Sequence, residues 1–221
     1  MRNTFLAIAS VATFALTATS ATAAVITYNA APEGFASAPF VEAGFTTTFI
    51  GGDGFFATTF NCSPTCADNG TRYALTLDSY GNGFYAETIR IAAVGGGGFT
   101  FAGFDGAENP FAGNAGNDWA KGVTVVGTRP DSSTFTQTFL FDGINDGAGG
   151  LADFQPFVSG SFFDVFVQLD FTGVIDPVTG GRDFSIDNVS LSPAVAPEPV
   201  AAILLGLGIA AMARRRIRRA V

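Results

Sequence analysis

The chain has 221 residues, with 19 acidic and 11 basic side chains, no histidine and a formal net charge of −8 at pH 7. The missing imidazole excludes Ser-His-Asp and Cys-His catalysis and every imidazole metal site. Eighteen of the acids but only five of the bases (Arg72, Arg90, Lys121, Arg129 and Arg182) fall within residues 24–195, so that stretch carries −13 and repels nucleic acid and anionic lipid.

The chain begins with a positive start at Arg2, an apolar stretch over residues 5–16 and the small-residue triplet Ala21-Thr22-Ala23. This pattern predicts a secretory signal peptide over residues 1–23, with Ala21 and Ala23 forming the cleavage site and cutting before Ala24. The run is too short and too rich in Thr and Ser for an N-terminal membrane helix. Residues 24–195 then form one domain, long enough to bury a core.

The chain uses Phe 24 times and Gly 28 times, while Leu and Lys are scarce. Long helices need Leu, Ala, Glu and Lys. Phe, Val, Ile and Thr interrupted by Gly, Asn and Asp give strands and turns instead. In chain order, strands are predicted at 25–28, 45–50, 55–60, 73–77, 87–94, 99–104, 122–128, 134–141, 154–158, 164–171 and 184–191. Pro32 and Pro39 break residues 32–40 into loop. The longest stretch without periodicity is 105–120, which holds the only tryptophan, Trp119. Strands 122–128 and 134–141 flank a turn at 129–132 and form a hairpin, with Phe135, Phe139 and Phe141 on one face and Thr134, Thr136 and Thr138 on the other. In the last strand the apolar phase slips at Asp187-Asn188, which a bulge would restore. The expected fold is all-β: a two-sheet β-sandwich of jelly-roll type.

Cys62 and Cys66 are separated by three residues. In an oxidising compartment the expectation is a disulfide that stiffens a tight loop. Two thiolates without histidine make only half of a tetrahedral zinc shell.

The far end of the chain has three parts. Pro197-Glu198-Pro199 is followed by 14 apolar residues, 200–213, and then by Arg214, Arg215, Arg216, Arg218 and Arg219. The apolar run spans roughly 21 Å as a helix, short of the ~30 Å hydrocarbon core, so alone it is a poor permanent anchor. The arginines hold their end on the cytoplasmic side. The two prolines keep Glu198 extended and accessible to a protease. In this order, the three parts over residues 196–221 resemble the PEP-CTERM sorting signal of Gram-negative bacteria. That resemblance implies Sec export, transient anchoring in the inner membrane through a short transmembrane helix, and processing by an exosortase. The chain would then reach the cell surface or the extracellular polysaccharide matrix.

The closing strand Phe-Ser-Ile-Asp-Asn-Val-Ser-Leu resembles that of galactose-binding-like jelly rolls, over roughly residues 122–191. In carbohydrate-binding modules of that type an Asp in the last strand joins early acids on a structural calcium. Asp187 matches that position and Glu33 is the nearest early candidate, although the usual close acidic pair in the first strand is missing.

A second calcium candidate is the connection at 142–153, with Asp142, Asp146 and Asp153 as oxygen donors. Ile144 stands where an EF-hand needs a ligand and no flanking helices are expected, so this is no EF-hand. The competing reading is a solvated Asp/Gly connection. Trp119 with Asn117 could form a sugar platform, or Trp119 could fill the core. A glycosidase needs only two carboxylates, but 18 acids give no means of choosing a pair. The expectation is a non-catalytic, exported matrix or surface protein that binds glycan. The alternatives are a structural protein with no defined ligand and, third, a carboxylate-based glycan hydrolase.

Overall fold

The computed structural model describes residues 22–58, 67–77, 86–108, 119–144, 152–160, 164–178 and 180–194. Short Phe-, Val- and Thr-rich runs form its strands: β1 (Ala24–Ile26), β2 (Gly34–Ala36), β3 (Phe40–Glu42), β4 (Phe45–Ile50), β5 (Gly54–Ala57) and β6 (Tyr73–Leu75). These are followed by β7 (Thr88–Ala93), β8 (Phe99–Glu108), β9 (Gly122–Thr128), β10 (Thr134–Leu140), β11 (Gln155–Val158), β12 (Gln168–Gly173) and β13 (Phe184–Pro193).

They build two antiparallel sheets. One has the order β11-β8-β13-β6-β5-β2, with β1 also on β13; the other runs β10-β9-β12-β7-β4-β3. The last eight strands alternate so that β6-β13-β8-β11 lie in one sheet and β7-β12-β9-β10 in the other, the wrapped double Greek key of a jelly roll. The fold is the expected β-sandwich.

The two sheets close on a core rich in phenylalanine. Phe101 and Phe104 of β8 face Phe139 of β10 and Phe171 of β12 across the sandwich, and all four are buried. Phe104 alone makes ring contacts with Phe101, Phe139, Phe157 and Phe171, at centroid distances of 6.2, 5.2, 5.3 and 5.3 Å. Burying one such side chain contributes about 1.5–3 kcal/mol. At the opposite end the Glu42 carboxylate accepts hydrogen bonds from the backbone N–H groups of Thr27 and Tyr28 and from the Thr27 hydroxyl. That contact ties the end of β1, in one sheet, to β3, in the other.

Several strand boundaries differ from the sequence expectation. Residues 34–36 and 40–42 are short strands rather than loop, because β5 and β4 offer them ladder partners at the sheet edges. Pro32 and Pro39 sit just before these strands, where no ladder hydrogen bond is lost. Strand β8 runs on through Glu108, since β13 on one side and β11 on the other pair with its last residues. Gly106, Ala107 and Glu108 are all buried, so this end carries no alternation to read. Strand β12 begins at Gln168 rather than 164, after Phe166 has bridged to Phe99.

The phase slip in β13 is a bulge. Register shifts lie between Asp187 and Ser190, and Asn188 takes a φ of 48°. Asn tolerates this left-handed conformation better than most residues. Its side chain donates to Asp105 Oδ2 at 2.8 Å across the ladder.

Candidate metal centre

The topology draws three acids together from distant parts of the sequence. Glu108 ends β8. Gln155 of β11 pairs with Gly106 of β8, so extending that antiparallel ladder by two residues sets Asp153 opposite Glu108. Asp142 arrives from the other side, two residues after β10 ends. One carboxylate oxygen from each of Glu108, Asp142 and Asp153 lies within 4.8 Å of the other two.

Backbone N–H groups shape the cluster. Gly143 N–H donates to Glu108 Oε1 at 2.9 Å, and Ile144 N–H donates to Asp142 Oδ1 at 2.9 Å. Asp142 N–H donates to Gln155 Oε1 at 3.3 Å, fastening the segment after β10 to β11. Glu108 is 0% exposed, and its Oε2 is buried with no hydrogen-bond partner. Burial raises the pKa of Glu108 from its ordinary value. The N–H groups of Gly143 and of Glu108 itself oppose that rise, and the charges of Asp142 and Asp153 add to it. The arrangement offers hard oxygen donors of the kind that suits calcium or magnesium.

Of the calcium residues expected from the sequence, Asp142 and Asp153 meet here, and Asp146 lies outside the described residues. Glu108 was not among them. It sits in the stretch read as lacking periodicity, and only the pairing of β8 with β11 brings it to the two aspartates.

The structure does not bring Asp187 and Glu33 together. Glu33 is exposed and accepts a hydrogen bond from Thr58, just before β2 at the sheet edge. Asp187 lies on β13, with β6 and β5 between it and β2. It is fully buried and serves the protein instead. Its Oδ2 accepts from Asn69 Nδ2 at 2.6 Å and from the Thr71 hydroxyl at 2.8 Å, while its Oδ1 accepts from Asn188 N–H at 2.7 Å.

Trp119 is 8% exposed and bridges to Asp183, so its ring offers no open platform for a sugar. Asn117 lies outside the described residues, as do Ala21, Cys62, Cys66, the Pro197-Glu198-Pro199 motif and the arginine cluster. Ala23 is exposed immediately before β1, which places the expected cleavage bond at the edge of the domain. Among the described residues no helix is long and apolar enough to cross a membrane. The chain matches no known family model, and no curated protein is significantly similar to it.

Proposed function

We propose that this chain is an exported, non-catalytic protein of the cell surface or exopolysaccharide matrix of a Gram-negative bacterium. In this reading the Sec machinery exports it, the inner membrane holds it transiently through residues 200–213, and an exosortase processes it. The observation that carries the reading is the ordered tail: Pro197-Glu198-Pro199, a 14-residue apolar run and five arginines. The −13 charge of residues 24–195 agrees with it, because a domain of that charge stays soluble outside the cell.

The outer face of the six-stranded sheet supports a hydrated, carbohydrate-facing role. Thr138, Thr124, Thr172 and Thr88 lie in register across four adjacent strands. Beside that row, Arg90 makes a bidentate ion pair with Asp170, to which Gln168 also donates. Among the described residues, the ring best placed to stack on a sugar lies on the other sheet: Phe35 of β2, 61% exposed and packed edge-on against Phe55 at 5.0 Å.

The second reading, a structural protein with no ligand, is favoured by the burial of Trp119. Co-sedimentation of the protein with the host's exopolysaccharide separates the two. Pelleting with the polysaccharide supports glycan contact, and recovery in the supernatant supports the structural reading.

The sorting reading is tested with a variant in which Pro197, Glu198 and Pro199 are all alanine. In a host that carries an exosortase, the variant is expected to stay in the inner-membrane fraction while the wild type leaves it. Identical fractionation of the two would remove the tail as a sorting signal.

A further inference from the structure

We propose that Glu108, Asp142 and Asp153 together bind a calcium ion, which fastens the segment after β10 and the start of β11 to the end of β8. The decisive feature is Glu108, fully buried, with Oε2 unpartnered and its carboxylate turned toward the two aspartates. A buried carboxylate oxygen without a hydrogen-bond partner is strongly disfavoured, and two further carboxylates close by add repulsion. A cation among the three removes both penalties.

The spacing fits the ion. Calcium takes oxygens at about 2.3–2.6 Å, so ligands on opposite sides of it stand roughly 4.6–5.2 Å apart. The three oxygens here lie within 4.8 Å of one another. All three donors are carboxylates, with neither sulfur nor nitrogen, which selects a hard cation. Asp142 is exposed and Asp153 half-buried, so waters can complete the six to eight ligands that calcium takes. Magnesium would demand shorter, octahedral bonds. The backbone supports the site as well, because the N–H of Gly143 fixes Glu108 Oε1 and leaves Oε2 for the ion.

The site differs from the one the jelly-roll resemblance implies. Asp187 and Glu33 take no part in it, and its ligands come from β8 and from the two ends of the connection between β10 and β11. Its occupation does not depend on how the tail is processed.

The experiment uses the full-length chain in mild detergent, stripped with EDTA and then titrated with calcium chloride, with magnesium chloride or with sodium chloride of equal ionic strength. Calcium at a hundred times its dissociation constant should raise the unfolding midpoint by roughly 5–10 °C through mass action. Magnesium should act more weakly, and sodium should not reproduce the shift. E108Q keeps the side-chain volume and removes the charged ligand, so it should fold and lose the calcium shift. D142N alters an exposed position, and should weaken calcium binding even if E108Q fails to fold. A wild type unmoved by calcium, a sodium response equal to that of calcium, or a D142N variant that binds calcium as tightly as the wild type would each overturn the assignment.

Discussion

Replacing Phe104 with alanine is expected to lower the unfolding free energy by about 3–5 kcal/mol, the range for removing a large aromatic side chain from a packed core. Phe104 is 3% exposed and touches rings of both sheets: Phe101 and Phe157 in its own, Phe139 and Phe171 in the facing one. Its loss leaves a cavity that four fixed neighbours cannot fill. Domains are stable by only about 5–15 kcal/mol, so this one change removes a large part of the total. Phe35 supplies the contrast. Being 61% exposed, it should cost well under half as much when truncated. Urea denaturation of the two variants measures both effects. Equal losses would mean that the sheets do not close around Phe104.

The second large effect is a pH dependence centred on Asp187. Burial pushes its carboxyl up to about 6, with the nearby Asp105 charge adding to the rise and the hydrogen bonds from Asn69, Thr71 and Asn188 opposing it. The folded protein therefore holds this proton more tightly than the unfolded chain. Stability linked to Asp187 is fully present below the unfolded value near 4 and is lost as pH rises through about 6. A displacement of about two units corresponds to roughly 3 kcal/mol. D187N cannot titrate. Relative to the wild type it should therefore gain roughly that amount between pH 4 and pH 7, measured by denaturant unfolding in EDTA. Glu108 shifts in the same direction but is present in both proteins, so the difference isolates Asp187. A difference that stays constant across that range would contradict the buried, raised carboxyl.

The sequence revealed those features that depend on local pattern. The hairpin of β9 and β10 showed itself through Phe135 and Phe139 alternating with Thr134, Thr136 and Thr138, and the two strands pair from Thr134 with Thr128 to Leu140 with Gly122. The bulge at Asp187 showed itself as a slip of phase. Strands β2 and β3 were hidden because three residues are too few to display a period and each is defined by its partner. The end of β8 was hidden for the opposite reason: with both faces covered, Gly106, Ala107 and Glu108 show no alternation.

The candidate site was half legible. Asp142 and Asp153 stand out as acids at either end of a Gly-rich connection, where turns and cation ligands both occur. Glu108 could not be chosen from the sequence, because it joins them only through the register of β8 with β11. Asp187 misled for a related reason. An acid in a closing strand can be a ligand or a buried anchor, and what decides is the neighbouring Asn69 and Thr71, more than a hundred residues away in the chain.

The measurement that bears most directly on the proposed role is the intact mass, with terminal sequencing, of the protein recovered from the surface and medium of an exosortase-bearing host. Export and sorting predict a chain that begins at Ala24 and lacks the apolar run 200–213 with its five arginines. A recovered chain that still carries residues 1–23 or ends in the arginine cluster would contradict them.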